Sequence, residues 1–356
     1  MLGAIKVNDQ VTTNNLSRYS KQLKISHIGA TGQTKLHKAR CAIVGLGALG
    51  SVIAEQLARA GIGYLRLIDR DFVEISNLQR QIMYTETDAI QFFPKATAAA
   101  QHLQAINSNI EIEPIIADLS AINIEEYLDG IDIIIDGSDN FSVRYLINEY
   151  SIAHEIPWVY GAVVGTSGST ATFIPKKTPC YRCLFPKKPT LGAVETCDTA
   201  GVLSPIVHMI ASIQVTEVIK YCSHNLAALH QSLLQLDCWT NDQLKLNIAH
   251  AKKTDCPVCV HQHFENLQHN EPNVYSSSLC GRDAVQVTLP ASSNITLDQL
   301  EEYYDEHYKL KRNAYLLKLF YDDQLTIVFF PDGRAIVQGT DNIVRAEAII
   351  AHIVKL

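Results

Sequence analysis

The sequence lacks what several protein classes require. No apolar run is long enough to cross a bilayer uninterrupted. The longest, Gly201 to Ile219, is broken by Ser204, Pro205, His208, Gln214 and Glu217 and reads as a buried helix. Met1 to Asn15 holds no basic segment followed by an apolar core, so no secretory signal is expected. Basic residues form no block, and 30 Lys and Arg against 37 Asp and Glu leave a formal charge of −7, a poor balance for general nucleic-acid binding. The nine cysteines do not pair off, which is not the pattern of a secreted disulfide framework. A cytoplasmic protein is expected, with thiols free to bind metal and neither membrane nor nucleic acid as partner. Core-forming material is abundant: 47% of the 356 residues are hydrophobic and 19% are charged. These are globular values, and the length suggests two domains at roughly 150 residues each.

Residues 40 to 69 carry the clearest structural signal. Cys41 to Val44 is a short apolar run that leads into Gly45-Leu-Gly47-Ala-Leu-Gly50. From Ser51 to Ala60 the spacing is helical, with Ile53, Leu57 and Ala60 on one side and Glu55 and Arg59 outside. Tyr64 to Asp69 follows as a second strand. Strand, glycine turn, helix and strand open a doubly wound, Rossmann-like α/β sheet, mostly parallel. The alternation goes on through predicted helices at 95–106, 140–154 and 203–221 and strands at 111–116, 131–136, 158–164, 169–174 and 232–237. This domain is placed at residues 17–260. Residues 261–278 are polar, lack periodicity and read as a linker. Residues 279–356 read as a small α+β module, with strands at 284–289, 315–321, 325–330 and 335–337 and helices at 297–307 and 342–354.

The glycine turn Gly45, Gly47, Gly50 fits G-x-G-x-x-G between strand and helix, where backbone approaches phosphate and the helix N-terminus favours negative charge. The motif does not choose between a dinucleotide and ATP. Asp69, at the end of the second strand, is placed for a ribose diol, with Asp71 two residues on. Downstream, Arg80 and Lys95 argue for a triphosphate, because charge must be neutralised while pyrophosphate leaves. Lys95 starts a helix, an odd place for a cation unless an anion binds beside it. Asp136-Gly-Ser-Asp139-Asn140 lies at the C-terminal end of a buried parallel strand, where open α/β sheets bind ligands. Asp139 can hold Mg²⁺ or position reacting groups, and Asn140 can cap the next helix. Cys180-Tyr-Arg-Cys183 and Cys256-Pro-Val-Cys259 are two C-x-x-C hooks that complete a closed four-thiolate site suited to structural Zn²⁺. Cys197, in a polar stretch, is either a reactive thiol or a bystander.

The ordered set Arg18-Tyr-Ser-Lys-Gln22, Gly45 to Gly50, Asp69-Arg-Asp71, Ser76-Asn-Leu-Gln-Arg-Gln81, Pro94-Lys95, Ser138-Asp-Asn140 and the paired hooks resembles the ubiquitin-activating-like adenylyltransferases of bacteria. Its nearest likeness is to the thiazole-biosynthesis and molybdopterin-synthase sulfur-carrier adenylyltransferases. The resemblance implies a small β-grasp carrier protein ending in Gly-Gly, whose terminal carboxylate attacks the α-phosphate of ATP. An acyl-adenylate and pyrophosphate result, and a sulfur donor such as a cysteine desulfurase then supplies the thiocarboxylate sulfur. It implies a nucleotide site built from Gly45, Gly47, Ala48, Gly50, Asp69, Asp71, Ser76, Asn77, Leu78, Gln79, Arg80, Lys95, Asp139 and Asn140. In that site Asp69 binds ribose, Asn77, Arg80 and Lys95 bind phosphates, and Asp139 is the essential acid, working with Mg²⁺. It implies a homodimer in which a basic residue reaches the partner's ATP. Lys21 stands where the family usually has Arg, which keeps the charge and loses the bidentate fork, with Arg18 as second candidate. Ala48 stands where some members have Gly. Cys197 matches a cysteine that thiazole-type members can link covalently to the carrier. The C-terminal module looks like the extension of some Gram-positive thiazole-type members. Two other readings stay open on the residues alone: a zinc-containing NAD-dependent oxidoreductase, and a non-catalytic sulfur-relay scaffold.

Overall fold

The computed structural model of the chain describes residues 17–189, 197–268, 275–279, 283–289 and 296–354. Contacts divide the chain into two compact units, residues 1–190 with 201–268, and residues 191–200 with 269–356. No helix among the described residues is long and apolar enough to cross a membrane.

The first unit runs α1 (Gly29–Lys38), β1 (Arg40–Val44), α2 (Ala48–Ala60), β2 (Tyr64–Asp69), α3 (Lys95–Ile106), β3 (Glu111–Ile116), β4 (Ile133–Asp136), α4 (Phe141–His154), β5 (Trp158–Val164), β6 (Ser167–Phe173), α5 (Ser204–Cys222), β7 (Ser232–Asp237) and β8 (Asp242–Asn247). One sheet holds all eight strands in the order β3-β2-β1-β4-β5-β6-β7-β8. β3 through β5 pair in parallel, and β5 through β8 pair antiparallel.

The apolar run of β1 is explained by burial on both faces. Cys41 and Ile43 pack with Val52, Ile53 and Leu57 of α2, Leu103 of α3 and Ile206, Ile210 and Val218 of α5. Ala42 and Val44 point the other way, into a second core with Leu146, Ile147 and Tyr150 of α4 and Trp158 and Phe173. Each of the Val, Leu, Ile and Phe side chains among them contributes about 1.5–3 kcal/mol on burial, and together they fix the ends of β1 and β4 that carry the loops described below.

In the second unit, β9 (Tyr275–Leu279), β10 (Ala284–Thr288), α6 (Leu297–Tyr304), β11 (Lys309–Arg312), β12 (Leu317–Phe320), β13 (Thr326–Phe329), β14 (Arg334–Gln338) and α7 (Ile343–Val354) form an antiparallel sheet in the order β11-β12-β13-β14-β10-β9. Alternate strand residues, among them Val285, Leu319, Ile327 and Val337, share a core with Leu300 of α6 and Ile350 of α7.

The structure departs from the sequence expectations in places. α2 begins at Ala48, three residues before the apolar periodicity becomes readable. β8 gave no signal because all of its residues are exposed, and β11 none because it is a charged edge strand. The expected helix 297–307 stops at Tyr304. Residues 261–278 are not a bare linker. The Glu149 carboxylate accepts the backbone N–H groups of Asn266 and Leu267 at 2.6 and 3.2 Å, Leu267 packs against the α4 core, and Tyr275–Leu279 is a strand.

Candidate nucleotide site and cysteine cluster

The chain leaves β1 for β2 and β3 on one side and returns to β4 and β5 on the other, so a crevice opens between the C-terminal ends of β1 and β4. Two glycine loops meet there. Gly45 sits at φ +85°, and a Cβ on it would lie 2.9 Å from the Gly137 carbonyl carbon. A Cβ on Gly50 would lie 1.8 Å from the Gly45 oxygen. Both glycines are therefore required for backbone to touch backbone. Gly47 is different: the nearest atom to a Cβ placed there is Gln81 Nε2, at 3.9 Å. The first turn of α2 has no side-chain cap, and its leading N–H groups have no carbonyl within their own helix. Such a turn can cradle an anion.

One wall carries the predicted charges. Lys95 is the first residue of α3 and only 2% exposed. Its Nζ lies 3.2 Å from Asp71 Oδ2, and its N–H donates to the Asp71 carbonyl at 2.8 Å. Asp69 accepts Leu46 N–H on Oδ2 at 2.6 Å and Asp71 N–H on Oδ1 at 2.7 Å. Burial pushes its carboxyl up, Lys95 opposes that, and Asp71 adds to it. Asp69 thus braces the glycine loop, and each oxygen keeps a second lone pair for a further donor. The neighbouring turn is held by itself: Asn77 Oδ1 accepts Glu74 N–H at 3.2 Å, and Arg80 donates to the Ser76 carbonyl at 3.0 Å. Ser76 and Gln79 are exposed, and Leu78 packs against the core. Tyr84 ties the segment to the glycine loop through its hydroxyl, which donates to the Leu46 carbonyl at 2.8 Å. Gln81, quoted in the motif but given no role there, is 2% exposed. Its Oε1 has no hydrogen-bond partner among the described residues, an arrangement costing about 1–3 kcal/mol.

The other wall is the loop after β4. Asp136 is fully buried. Its Oδ1 accepts Ser138 N–H at 2.9 Å and Ser138 Oγ–H at 2.6 Å, and its Oδ2 accepts Arg144 Nε–H at 2.9 Å. Arg144 also donates to the carbonyls of Ser138 and Gly161, at 2.7 and 3.1 Å. Burial raises the Asp136 carboxyl, and Arg144 pulls it back. This ion pair fixes the loop that presents Asp139, which is exposed. Sequence reading missed the pair. No local pattern marks Asp136 as half of a pair, because the partner lies eight residues on, inside a helix. Asn140 caps α4, its Oδ1 accepting Ser142 N–H at 2.8 Å.

Lys21 is exposed, and its neighbour Gln22 donates to the Ala60 carbonyl at the far end of α2, at 2.9 Å. Thirteen helical residues, about 18 Å, separate that end from the cradle. Arg18 donates to the Ile106 carbonyl at the end of α3, at 2.8 Å. Neither basic residue is brought to this chain's own cradle.

The four hook cysteines converge. Cys180 precedes the short helix Tyr181–Leu184 as its N-cap and Cys183 lies within it, and all four sulfurs lie within 4.8 Å of one another. Individual Sγ···Sγ separations are 3.9 Å for Cys180–Cys183, 3.6 Å for Cys180–Cys256 and 3.5 Å for Cys183–Cys259. This is the spacing of ligands around one metal ion, not of disulfides, which bond at about 2.05 Å. Cys197 begins the helix Cys197–Ala200, and its side chain lies outside the described residues.

Set beside known proteins, the chain is 40% identical over 333 residues to the Bacillus subtilis sulfur carrier protein ThiS adenylyltransferase, covering 93% of this chain and 97% of that protein. It is 38% identical over 244 residues to the Haloferax volcanii SAMP-activating enzyme E1, covering 68% of this chain and 88% of the relative. The longer Bacillus alignment takes in the second unit. Among solved structures, E. coli MccB superposes with a TM-score of 0.60 at 23% identity, over 70% of this chain and 75% of that one, a likeness of fold. The ThiF family matches residues 19–258, a span that holds the cradle, the charged wall and three of the four clustered cysteines, and the chain belongs to the ThiF family.

Proposed function

We propose that the protein is an ATP-dependent adenylyltransferase that activates the C-terminal Gly-Gly carboxylate of a small β-grasp sulfur carrier. The observation that carries this is the uncapped first turn of α2, open at Gly47 and flanked by the buried Lys95. The carrier carboxylate is already a nucleophile, so no strong general base is needed. The site's work is to align the carboxylate with the α-phosphate and to neutralise charge as pyrophosphate departs. The helix N–H groups receive phosphate oxygens, and Asp69 offers its remaining lone pairs to ribose. Arg80 and Lys95 face the polyphosphate, each having to exchange part of its present pairing, with Ser76 and Asp71 respectively, for phosphate. Asp139, exposed on the braced loop, would hold a Mg²⁺, which would supply charge neutralisation at the phosphates.

In a homodimer, Lys21 stands at the wrong end of its own α2 and serves the partner's ATP. The cysteine cluster holds structural Zn²⁺: Zn–S bonds of about 2.3 Å in a tetrahedron put sulfurs roughly 3.8 Å apart, close to the separations found. Four thiolates leave no open position, so the metal cross-links the hooks and takes no part in the chemistry. Reduced thiols of this kind suit the cytoplasm. A cysteine desulfurase or similar donor supplies the sulfur, for thiamine thiazole or molybdenum cofactor synthesis. The 40% identity to the Bacillus ThiS adenylyltransferase supports a carrier of that type. No observation favours nicotinamide.

Pyrophosphate exchange tests this reading. The full chain is expected to exchange labelled pyrophosphate into ATP only when a Gly-Gly carrier is present, and Asp139→Ala is expected to abolish exchange. Absence of exchange with every Gly-Gly carrier of the cell would refute it.

A further inference from the structure

The nucleotide cradle contains a polar side chain that the preceding reading does not use. Gln81 is 2% exposed, in the segment that Tyr84 fastens to the glycine loop. Its backbone N–H is spent on the Asn77 carbonyl, at 2.9 Å. Its Oε1 is sealed and has no partner among the described residues. Its Nε2 makes none of the hydrogen bonds that hold this wall, and it is the nearest atom, at 3.9 Å, to the Cβ that Gly47 lacks. A buried amide is ordinarily anchored by hydrogen bonds. This one is held by packing, and its donor end is at the mouth of the anion cradle. The α2 N-terminus and the Gln81 amide thus converge on one volume from two different elements.

We propose that Gln81 is a phosphate-binding residue, its Nε2–H donating to a phosphate oxygen of the nucleotide seated on the first turn of α2. The inference rests on the adenylyltransferase reading and adds a contact to it. A neutral donor suits this position. Lys95 and Arg80 supply positive charge, whereas Asp69 and Asp71 lie in the same wall, so an acid at residue 81 would add a third carboxylate facing the phosphate. The amide gives direction without changing the net charge of the wall, and it binds phosphate only where an oxygen comes within reach above Gly47.

The test is nucleotide affinity of the full chain and of two variants of similar length, Gln81→Glu and Gln81→Met, for adenosine, AMP, ADP and ATP. Thermal midpoints without nucleotide establish which variant keeps the fold, and either one that does so reports. The expected result is a loss of at least about tenfold for phosphate-bearing nucleotides, the scale of one hydrogen bond to a charged group, with adenosine affinity unchanged. The loss should be larger for Glu than for Met. The shortest nucleotide that shows it identifies the phosphate, α if AMP is affected and β or γ if only ADP or ATP is. Unchanged ATP affinity in a folded variant, or an equal loss for adenosine, overturns the assignment and leaves the adenylyltransferase reading standing. Failure of the unmodified chain to bind ATP overturns both.

Discussion

Replacing Arg144 by Met tests how the Asp139 loop is held. Arg144 and Asp136 are both buried, and the guanidinium joins Asp136, the Ser138 carbonyl and the Gly161 carbonyl in one network. Met keeps the bulk and the apolar stem, but it leaves a carboxylate sealed from water without its countercharge and frees two carbonyls. Removing one partner of a buried pair costs about 3–5 kcal/mol. At about 2–4 °C per kcal/mol for a unit of this size, the midpoint should fall by on the order of 10 °C. The pH dependence follows from the Asp136 shift. Its folded pKa is raised by burial and held back by Arg144. The folded state then binds this proton more tightly than the unfolded chain, so the group's contribution to stability falls as pH rises from the ordinary carboxylate range through the raised value. Without Arg144 the pKa climbs further and that window widens upward. The deficit of Arg144→Met should therefore be largest near about pH 8 and smaller near about pH 5. Asp136→Asn added to Arg144→Met should recover much of the stability, since no buried charge is left. Carrier-dependent exchange should fall in the single variant even below its melting temperature, because the Ser138 carbonyl, next to Asp139, loses its guanidinium donor. Denaturant unfolding at the two pH values and exchange rates read these outcomes. A deficit under about 1 kcal/mol at both pH values, or one that grows toward acid, would refute the reasoning.

Gly50→Ala should prevent proper folding of the first unit, because its Cβ would stand 1.8 Å from the Gly45 oxygen, whereas Gly47→Ala should fold normally and weaken ATP binding; circular dichroism and ATP titration separate the two. Cys256→Ser should release one equivalent of zinc per chain to a colorimetric chelator and lower the melting temperature sharply, as befits a closed site worth ~10–16 kcal/mol in peptides. Mixing Lys21→Ala with Asp139→Ala chains should restore exchange that neither has alone, since a mixed dimer assembles one site free of both defects if Lys21 acts across the interface; no recovery in verified mixed dimers would refute action across the interface.

Much of the first unit could be read along the chain because its signals are local. β1 and β4 are apolar runs since both faces of a parallel strand are buried, and the glycine spacing reports the turn between β1 and α2. The hooks could be read because C-x-x-C brings two sulfurs together within one turn. The polar edge strands β8 and β11 escaped, since their residues pack against little and leave no hydrophobic period. The sequence by itself determined which residue types are available: glycines where backbone must approach, cysteines in pairs, cations and acids in a definite order. Tertiary structure decided how they are spent. It turned Lys95 inward onto Asp71, used Asp69 to brace the Leu46 N–H, set Arg144 against Asp136 and carried Lys21 to the far end of α2. It also left Gln81 Oε1 without a partner among the described residues and brought its Nε2 nearest to the Cβ that Gly47 lacks. These outcomes depend on distances between residues far apart in the chain, which sheet order and core packing set and no local pattern records.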